Sequence, residues 1–427
     1  MLNASQLDGG WKELSRRIGS TEDLEATAKA SGALVRRREI KNAADLLRLA
    51  LAYGPCGMSL RTVAAWAETI GLGELSDVAA LKRLRASAGW LQEVAGSLLA
   101  RRLRCPAAAS TGRVIRLVDS TTISQPGSDR ADWRLHYSYD PKSGRAVDCQ
   151  LTTAREGEHL RRVAVTAGDI WLGDRGYAKG EGLHHVVQGG ADFVVRVSWN
   201  SLALRDAQGK PFDMARRLKR LGKAERAEWH AIAVTPGGQA VPVRLLVRRK
   251  PPEAIEREVK RITEKAARRG RTRRSGKPDP RSLSAARFTV LATSLNEPAG
   301  QVFDLYALRW QIEIAFKRLK SQLHIDQLPA KDPDLARTWL LAHIIAALLI
   351  EDHGRRGAGR SPLCAPLRRL SDHAIAGASS RSCATPSALL SWAPSCRPLS
   401  STPPAVLHGC SSSHRASENA EHSHASC

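Results

Sequence analysis

Apolar residues recur at helical spacing through Ala43-Ala44-Leu46-Leu47-Leu49-Ala50 and again through Val63-Ala64-Trp66-Ala67, so residues 1–107 read as helical. Ser59 precedes Leu60, and Ser76 precedes Val78-Ala79-Leu81-Leu84. At each place a hydroxyl can accept from the free N–H groups of a first helical turn. Gly71 and Gly73 break the pattern between them. Two short helices around a Gly-containing turn, with Lys82, Arg83 and Arg85 on the second, resemble a helix-turn-helix. An ordinary helical bundle with a solvated basic face would give the same pattern.

After Pro106 the period shortens. Arg113-Val114-Ile115-Arg116-Leu117-Val118 is a β-rich run that ends at Asp119. Trp133 to Tyr139 and Ala146 to Thr152 flank Asp140-Pro141-Lys142-Ser143-Gly144, a good hairpin turn. Ile170-Trp171-Leu172-Gly173 is a second short strand ending at a carboxylate, Asp174. A helix through His185 to Gln188 and a strand from Asp192 to Val197 follow, which predicts a mixed α/β sheet covered by helices. Residues from about 200 to 285 interrupt that core with a β-like piece (Val241 to Val247), a helix over Glu253 to Ala267 and an Arg/Gly/Pro-rich loop from Arg268 to Pro280. Strand character returns at Phe288 to Ala292, and one long helix is expected from about Ala299 to Gln322. The organisation expected is a helical region over 1–107, an α/β core over 108–353 and a tail over 354–427. The tail is rich in Ser, Pro, Cys, Arg and His and has Trp392 as its only aromatic. Disorder is its default reading, and its abrupt onset also fits translation out of the original frame.

Charge narrows the classes. Sixty-six Lys+Arg against 42 Asp+Glu leave a formal charge of +24, which points to a polyanionic partner. The longest apolar run, Trp339 to Ile350, is interrupted by His343 and is shorter than a membrane span; Asp8, Lys12 and Glu13 stand where a secretory signal would have an apolar core. A soluble protein of the cytoplasm, with no membrane partner, is therefore expected. Five of the eight cysteines follow residue 360 and no close CxxC pair occurs, so neither a zinc ribbon nor a redox dithiol is indicated.

The long helix carries the most chemistry. Tyr306, Arg309, Glu313 and Lys320 follow Y-x-x-R-x-x-x-E-x-x-x-x-x-x-K and project into an arc of about 60°. Leu305, Leu308, Ile312, Ala315, Phe316 and Leu319 form the adjacent apolar arc. A salt-bridged amphipathic helix would show the same stripe, and either strand-end Asp could be a cap. Two strand-end aspartates together with a glutamate on a basic stripe nevertheless make an all-oxygen site suited to Mg²⁺ or Mn²⁺. Phosphodiester chemistry needs an activated oxygen nucleophile and a neutralised leaving oxygen, which two metal ions can supply together.

The blocks Val118-Asp119-Ser120-Thr121, Gly173-Asp174-Arg175-Gly176-Tyr177 and Tyr306…Arg309…Glu313…Lys320 resemble the DDE transposases of bacterial insertion sequences, and the last points to insertion sequence family four. The resemblance spans roughly residues 55 to 350. It implies an RNase H-like core with a β-containing insertion, and Asp119, Asp174 and Glu313 as the catalytic ligands of Mg²⁺ or Mn²⁺, two ions being the number the phosphodiester chemistry calls for. It implies further that Tyr306, Arg309 and Lys320 grip DNA phosphates, with Arg175 and Tyr177 in support, and that a homodimer joins double-stranded inverted-repeat ends to target DNA. Trp199 and Trp229 are the insertion tryptophans on which a flipped base could stack; packing explains either equally well. Relatives usually continue with further helices where the tail begins here. The rival readings are a DNA-binding regulator, a metal-dependent nuclease without strand transfer, and an inactive transposase relic.

Overall fold

The computed structural model describes residues 4–104, 113–270 and 276–357. The expected tail lies outside them from residue 358 onward, as do residues 271–275 of the expected basic loop. Six helices open the chain: α1 (Ala4–Ile18), α2 (Thr21–Ala30), α3 (Ala43–Tyr53), α4 (Leu60–Thr69), α5 (Asp77–Ala86) and α6 (Ala88–Arg104). Ser59 and Ser76 cap α4 and α5 as their positions suggest, accepting from the backbone N–H of Thr62 and Ala79 at 3.1 Å each. The turn between them is tight against the rest of the chain. A Cβ on Gly73 would lie 2.6 Å from the Glu39 carbonyl oxygen, so only glycine fits. Two of the three cations on α5 are engaged within the protein: Arg83 donates to the Arg36 carbonyl (2.6 Å) and Arg85 pairs with Asp332 (2.7 Å).

A nine-stranded sheet follows, in the order β3-β2-β1-β4-β5-β9-β8-β7-β6. Its first five strands are β1 (Val114–Ile123), β2 (Trp133–Asp140), β3 (Arg145–Thr153), β4 (Asp169–Gly173) and β5 (Asp192–Arg196), with α7 (Gly180–Gln188) crossing between the last two. β1, β4 and β5 run parallel, and β2 is antiparallel to both β1 and β3. The segment expected to interrupt the core extends its sheet. β6 (Leu204–Arg205), β7 (Arg226–Val234) and β8 (Ala240–Arg249) join through β9 (Phe288–Thr293), which pairs antiparallel with both β5 and β8. Three helices accompany these strands: α8 (Met214–Arg220), α9 (Pro252–Gly270) and α10 (Pro280–Ala286).

Side chains alternate across a strand, and this alternation builds two cores. Leu117, Leu172 and Val194 face one core, with the N-terminal helices, α11 (Ala299–Ala307), α12 (Trp310–Leu323) and α13 (Pro333–Gly357). Val118, Trp171, Phe193 and Val195 face the other, with α7 and the extension strands. Helix α13 is long and apolar enough to cross a membrane by composition, over Pro333–Asp352, yet 78% of that window is buried inside the protein. It is a core helix. It lies so close to the end of α3 that a Cβ on Gly54 would sit 2.9 Å from Ala342 Cβ.

Two histidines are buried in these layers. His136 on β2 lies 3.0 Å from Thr152 Oγ1, and His343 on α13 approaches the Trp339 carbonyl at 2.8 Å and rests on its ring. Burial pushes both down to about 4, with Arg162 and Arg134 adding to the effect at His136. The unfolded chain, near 6.5, binds more protons in between. Stability from these groups is therefore complete above pH 6.5 and is lost as pH falls toward 4, by on the order of a few kcal/mol. Urea unfolding at pH 7.5 and 4.5 should show that loss, and His136→Asn and His343→Asn should each lose less. A variant with the wild-type pH slope would remove its histidine from the account.

Candidate active site

Val118 on β1 pairs in register with Gly173 on β4, so Asp119 and Asp174 are the next residues on neighbouring parallel strands. Both have the parity of Leu117 and Leu172 and therefore point to the face covered by α11 and α12. Asp119 Oδ1 accepts from the Ser120 N–H at 2.8 Å, and Oδ2 accepts from Arg309 Nη1 at 3.2 Å. Burial pushes this carboxyl up to about 6. The Ser120 hydrogen bond and Arg309 pull it back, while Glu158 and Asp174 push the same way as burial.

Asp174 occupies the position before a short 3₁₀ turn, Arg175–Tyr177, but its side chain makes no capping hydrogen bond. Its Oδ1 is buried without a partner among the described residues. A carboxylate serving only as a cap would accept from the first turn; this one is held open toward the cleft. Gly173 has no room for a side chain, because a Cβ there would stand 2.9 Å from Tyr177 Cβ. Tyr177 is 1% exposed and packs in the second core, so its expected DNA contact is corrected to a packing role that shapes the turn after Asp174.

The single long helix expected over 299–322 is two helices. Between α11 and α12 the backbone tightens. Leu308 donates to Leu305, Arg309 to Tyr306, Gln311 to Leu308 and Ile312 to Arg309, all i to i−3 bonds of 3.1–3.2 Å. Such 3₁₀ stretches inside a helix often mark functional positions. Tyr306 therefore stands on α11, Arg309 at the junction, and Glu313 and Lys320 on α12. Arg309 bridges the cleft, with Nη1 on Asp119 and Nη2 on the Glu313 carboxylate. Glu313 remains 58% exposed, and Lys320 is half-buried with no side-chain partner among the described residues. The Tyr306 hydroxyl is buried and pushed well above its ordinary range by burial and then by Asp174, while Arg309 beside it pulls the other way.

Arg175 does not point into an open cleft. Its two terminal nitrogens lie 3.4 Å from Glu258 Oε1 on α9, a carboxylate that also takes Arg261. The Arg261 hydrogen bond draws Glu258 down to about 2 against its burial. Trp199 is covered by Arg281 at 4.4 Å and donates to Ser282 Oγ, and Trp229 packs on Phe212. Trp310, beside Arg309, is 49% exposed.

Two neighbours were not singled out from the sequence. Arg196 ends β5 with the parity of Val194, placing it on the cleft face as the third parallel strand end, where it feels both Tyr306 and Asp174. Burial and Arg175 lower its affinity for the proton. An arginine closing the run Phe193-Val194-Val195 was the available signal. Glu158, from the crossing between β3 and β4, accepts from Ser120 Oγ at 2.7 Å. It had no sequence signal, because its contact is a long-range one.

Among the described residues no group of three or more His, Cys, Asp or Glu is gathered tightly enough to hold a metal ion. The reason is visible: Glu313 is turned to Arg309, whose guanidinium stands as the cation between it and Asp119. The donor set still suits a hard divalent cation, since Asp119 and Asp174 are adjacent oxygen donors and Asp174 Oδ1 is an orphaned buried acceptor.

Residues 110–349 match the family model of the transposase DDE domain. The putative transposase InsL for insertion sequence element IS186A of Escherichia coli (strain K12) is 44% identical over 350 residues, covering 80% of this chain and 93% of that one. The transposase for insertion sequence element IS421 of Escherichia coli is 44% identical over 351 residues, with the same coverage. The transposase for IS231D of Bacillus thuringiensis subsp. finitimus is 24% identical over 241 residues, half of each chain. Among solved structures, a piggyBac transposase synaptic complex with hairpin DNA aligns at TM-score 0.39 and 11% identity over 84% of this chain and 77% of that one, a likeness too distant to bear on the fold. With two aspartates after the last β1–β4 pair and a helix-borne glutamate inside the matched region, the chain belongs to the DDE transposases of bacterial insertion sequences.

Proposed function

We propose that Asp119, Asp174 and Glu313 are the catalytic carboxylates and metal ligands of this transposase, in a core of RNase H-like topology. The observation that carries the reading is the juxtaposition of two aspartates, each directly after the last pair of the parallel β1–β4 ladder, with a glutamate reached through Arg309. The strand order β3-β2-β1-β4-β5, with β2 alone antiparallel among those that carry or flank the aspartates, supports the topology. Two Mg²⁺ or Mn²⁺ ions, when bound, would lower the barrier by activating water and neutralising the leaving oxygen. Asp119, Asp174 and Glu313 would hold such ions once Glu313 exchanged Arg309 for metal, and Arg309 would then be free for a phosphate, which its planar fork fits. Lys320 on α12 and Tyr306 on α11 hold the backbone beside it. Arg175 and Arg196 add positive charge beside Asp174.

In the first reaction a water oxygen bonds to phosphorus and the P–O3′ bond breaks, leaving a 3′-OH and a 5′-phosphate. In the second, that 3′-oxygen bonds to a target phosphorus and displaces the target's own 3′-oxygen. The substrates are the double-stranded inverted-repeat ends of the element and target DNA. The helical region 1–107 contributes to end binding, the active assembly is a homodimer, and the site of action is the bacterial cytoplasm. The excess of positive charge supports a polyanionic partner.

The test is cleavage of DNA carrying the element's inverted repeats by the full chain, with Mg²⁺ or EDTA. Wild type should cut only with metal, and Glu313→Ala should bind the same DNA without cutting. Metal-independent cutting, or undiminished cutting by Glu313→Ala, would sink the assignment. Arg196→Ala should slow cutting about 10–100-fold, the worth of one charge-assisted hydrogen bond. A rate unchanged in that variant would take Arg196 out of the site.

A further inference from the structure

The crossing from β3 to β4 passes the ends of the parallel strands, and Glu158 there touches both aspartate-bearing segments. Ser120, next to Asp119, donates its hydroxyl to Glu158 Oε1 at 2.7 Å. Arg134 on β2 completes the corner, with Nη1 2.9 Å from Ser120 Oγ and 3.5 Å from Glu158 Oε1. On its other side the carboxylate fills the space above Gly176, two residues after Asp174. A Cβ on Gly176 would overlap the carboxylate and lie 2.6 Å from Glu158 Cδ. Lys179, farther along the same turn, donates to the Glu158 carbonyl at 2.8 Å. One side chain thus spans the two segments, and a residue without a Cβ makes the room for it.

We propose that Glu158 is a positioning residue that clamps the segments after Asp119 and Asp174 against each other, with Gly176 as its seat. The proposal rests on the assignment of those aspartates above. The clamp acts through Ser120 and the turn 175–177 and does not touch the reacting atoms. It sets how the two aspartate side chains are presented to each other. Groups that orient metal ligands from behind are typically worth about 10–100-fold in metal affinity or activity. Glu158→Ala should therefore weaken Mn²⁺ binding and cleavage to that extent. Glu158→Gln keeps an oxygen for the Ser120 hydroxyl and the same shape over Gly176, and should recover most of the loss.

Mn²⁺ titration of the full-length protein, followed by the free-ion electron paramagnetic resonance signal, is the first readout, with cleavage of inverted-repeat DNA and thermal unfolding beside it. Gly176→Ala should be defective alone but add little to Glu158→Ala, because the two substitutions break one contact. Its lowered melting temperature should rise again when Glu158→Ala removes the carboxylate it strikes. Additive losses, or a Glu158→Ala variant that binds Mn²⁺ and cuts like wild type, would overturn the clamp. A wild type that neither binds Mn²⁺ nor cuts would overturn the metal assignment instead. Recovery of the melting temperature in the double variant would still uphold the Glu158–Gly176 contact in that case, and its absence would refute it.

Discussion

Asp174→Asn should lower metal-dependent cleavage about a thousandfold or more, several kcal/mol of barrier at 1.36 kcal/mol per tenfold, while leaving the protein at least as stable as wild type. The two halves of this expectation have one cause. Asp174 is not paid for by the fold: it makes no cap, its Oδ1 has no partner among the described residues, and Asp119 stands one strand away. Holding a carboxylate there with one oxygen buried and without a hydrogen bond opposes folding, and the charges of Arg309 and Arg196 offset part of that without supplying the missing bond. An amide of nearly the same shape removes the charge and its repulsion with Asp119 and still fills the space. Sites that carry function commonly trade stability for it in this way. Cleavage of inverted-repeat DNA and chemical denaturation of the same preparation are the paired measurements. An Asn variant that cuts normally would return Asp174 to the role of a turn residue. One that is inactive because it is markedly destabilised would show that the carboxylate is structural after all.

What the sequence showed of this site depended on how local each signal was. Asp119 and Asp174 were legible because each closes a short apolar run, which is a local event; only Asp174 also follows a strand end, since β1 runs on through the polar residues Ser120, Thr121 and Thr122 to Ile123 by pairing with β2. The Tyr306, Arg309, Glu313 and Lys320 spacing was legible for the same reason. The tightening at Leu308 and Arg309 was not, since both keep right-handed helical angles and only the hydrogen-bond partner changes from i−4 to i−3. Strand β7 went unseen because Ala227, Ala231 and Ala233 carry little β preference of their own and its C-terminal half, Ala231-Ile232-Ala233-Val234, shows no alternation of apolar with polar residues; pairing with β8 makes the strand. The segment from 200 to 285 looked like an interruption of the core. It reads as an extension of the sheet only when β9, some forty residues after β8, is seen to pair with both β8 and β5. Glu158 is the extreme case, with its meaning given by Ser120, 38 residues earlier, and by a missing Cβ on Gly176.

Arg102→Ala should destabilise the protein by about 3–5 kcal/mol, the loss expected when one partner of a buried ion pair is removed. The Arg102 side chain on α6 is 5% exposed and reaches Glu351 Oε2 at 2.8 Å, Asp352 Oδ1 at 3.1 Å and the Ala146 carbonyl at 3.0 Å. Glu351 in turn accepts from the Tyr137 hydroxyl at 3.0 Å and the Ala146 N–H at 3.2 Å. One guanidinium therefore joins α6, the end of α13 and the β2–β3 hairpin. Without it, Glu351 keeps its other donors but loses its cation. The consequence reaches the cleft: Tyr137 pairs in register with Asp119 and packs on Phe316, three residues after Glu313 on α12. Urea unfolding should show the lowered midpoint, and cleavage under native conditions should fall with it. The double variant Arg102→Met with Glu351→Leu should regain much of the stability, since apolar groups can replace a buried pair at little net change. If Arg102→Ala unfolds at the wild-type midpoint, the ion pairs on α13 are surface contacts, and the apolar packing of that helix alone holds it to the sheet.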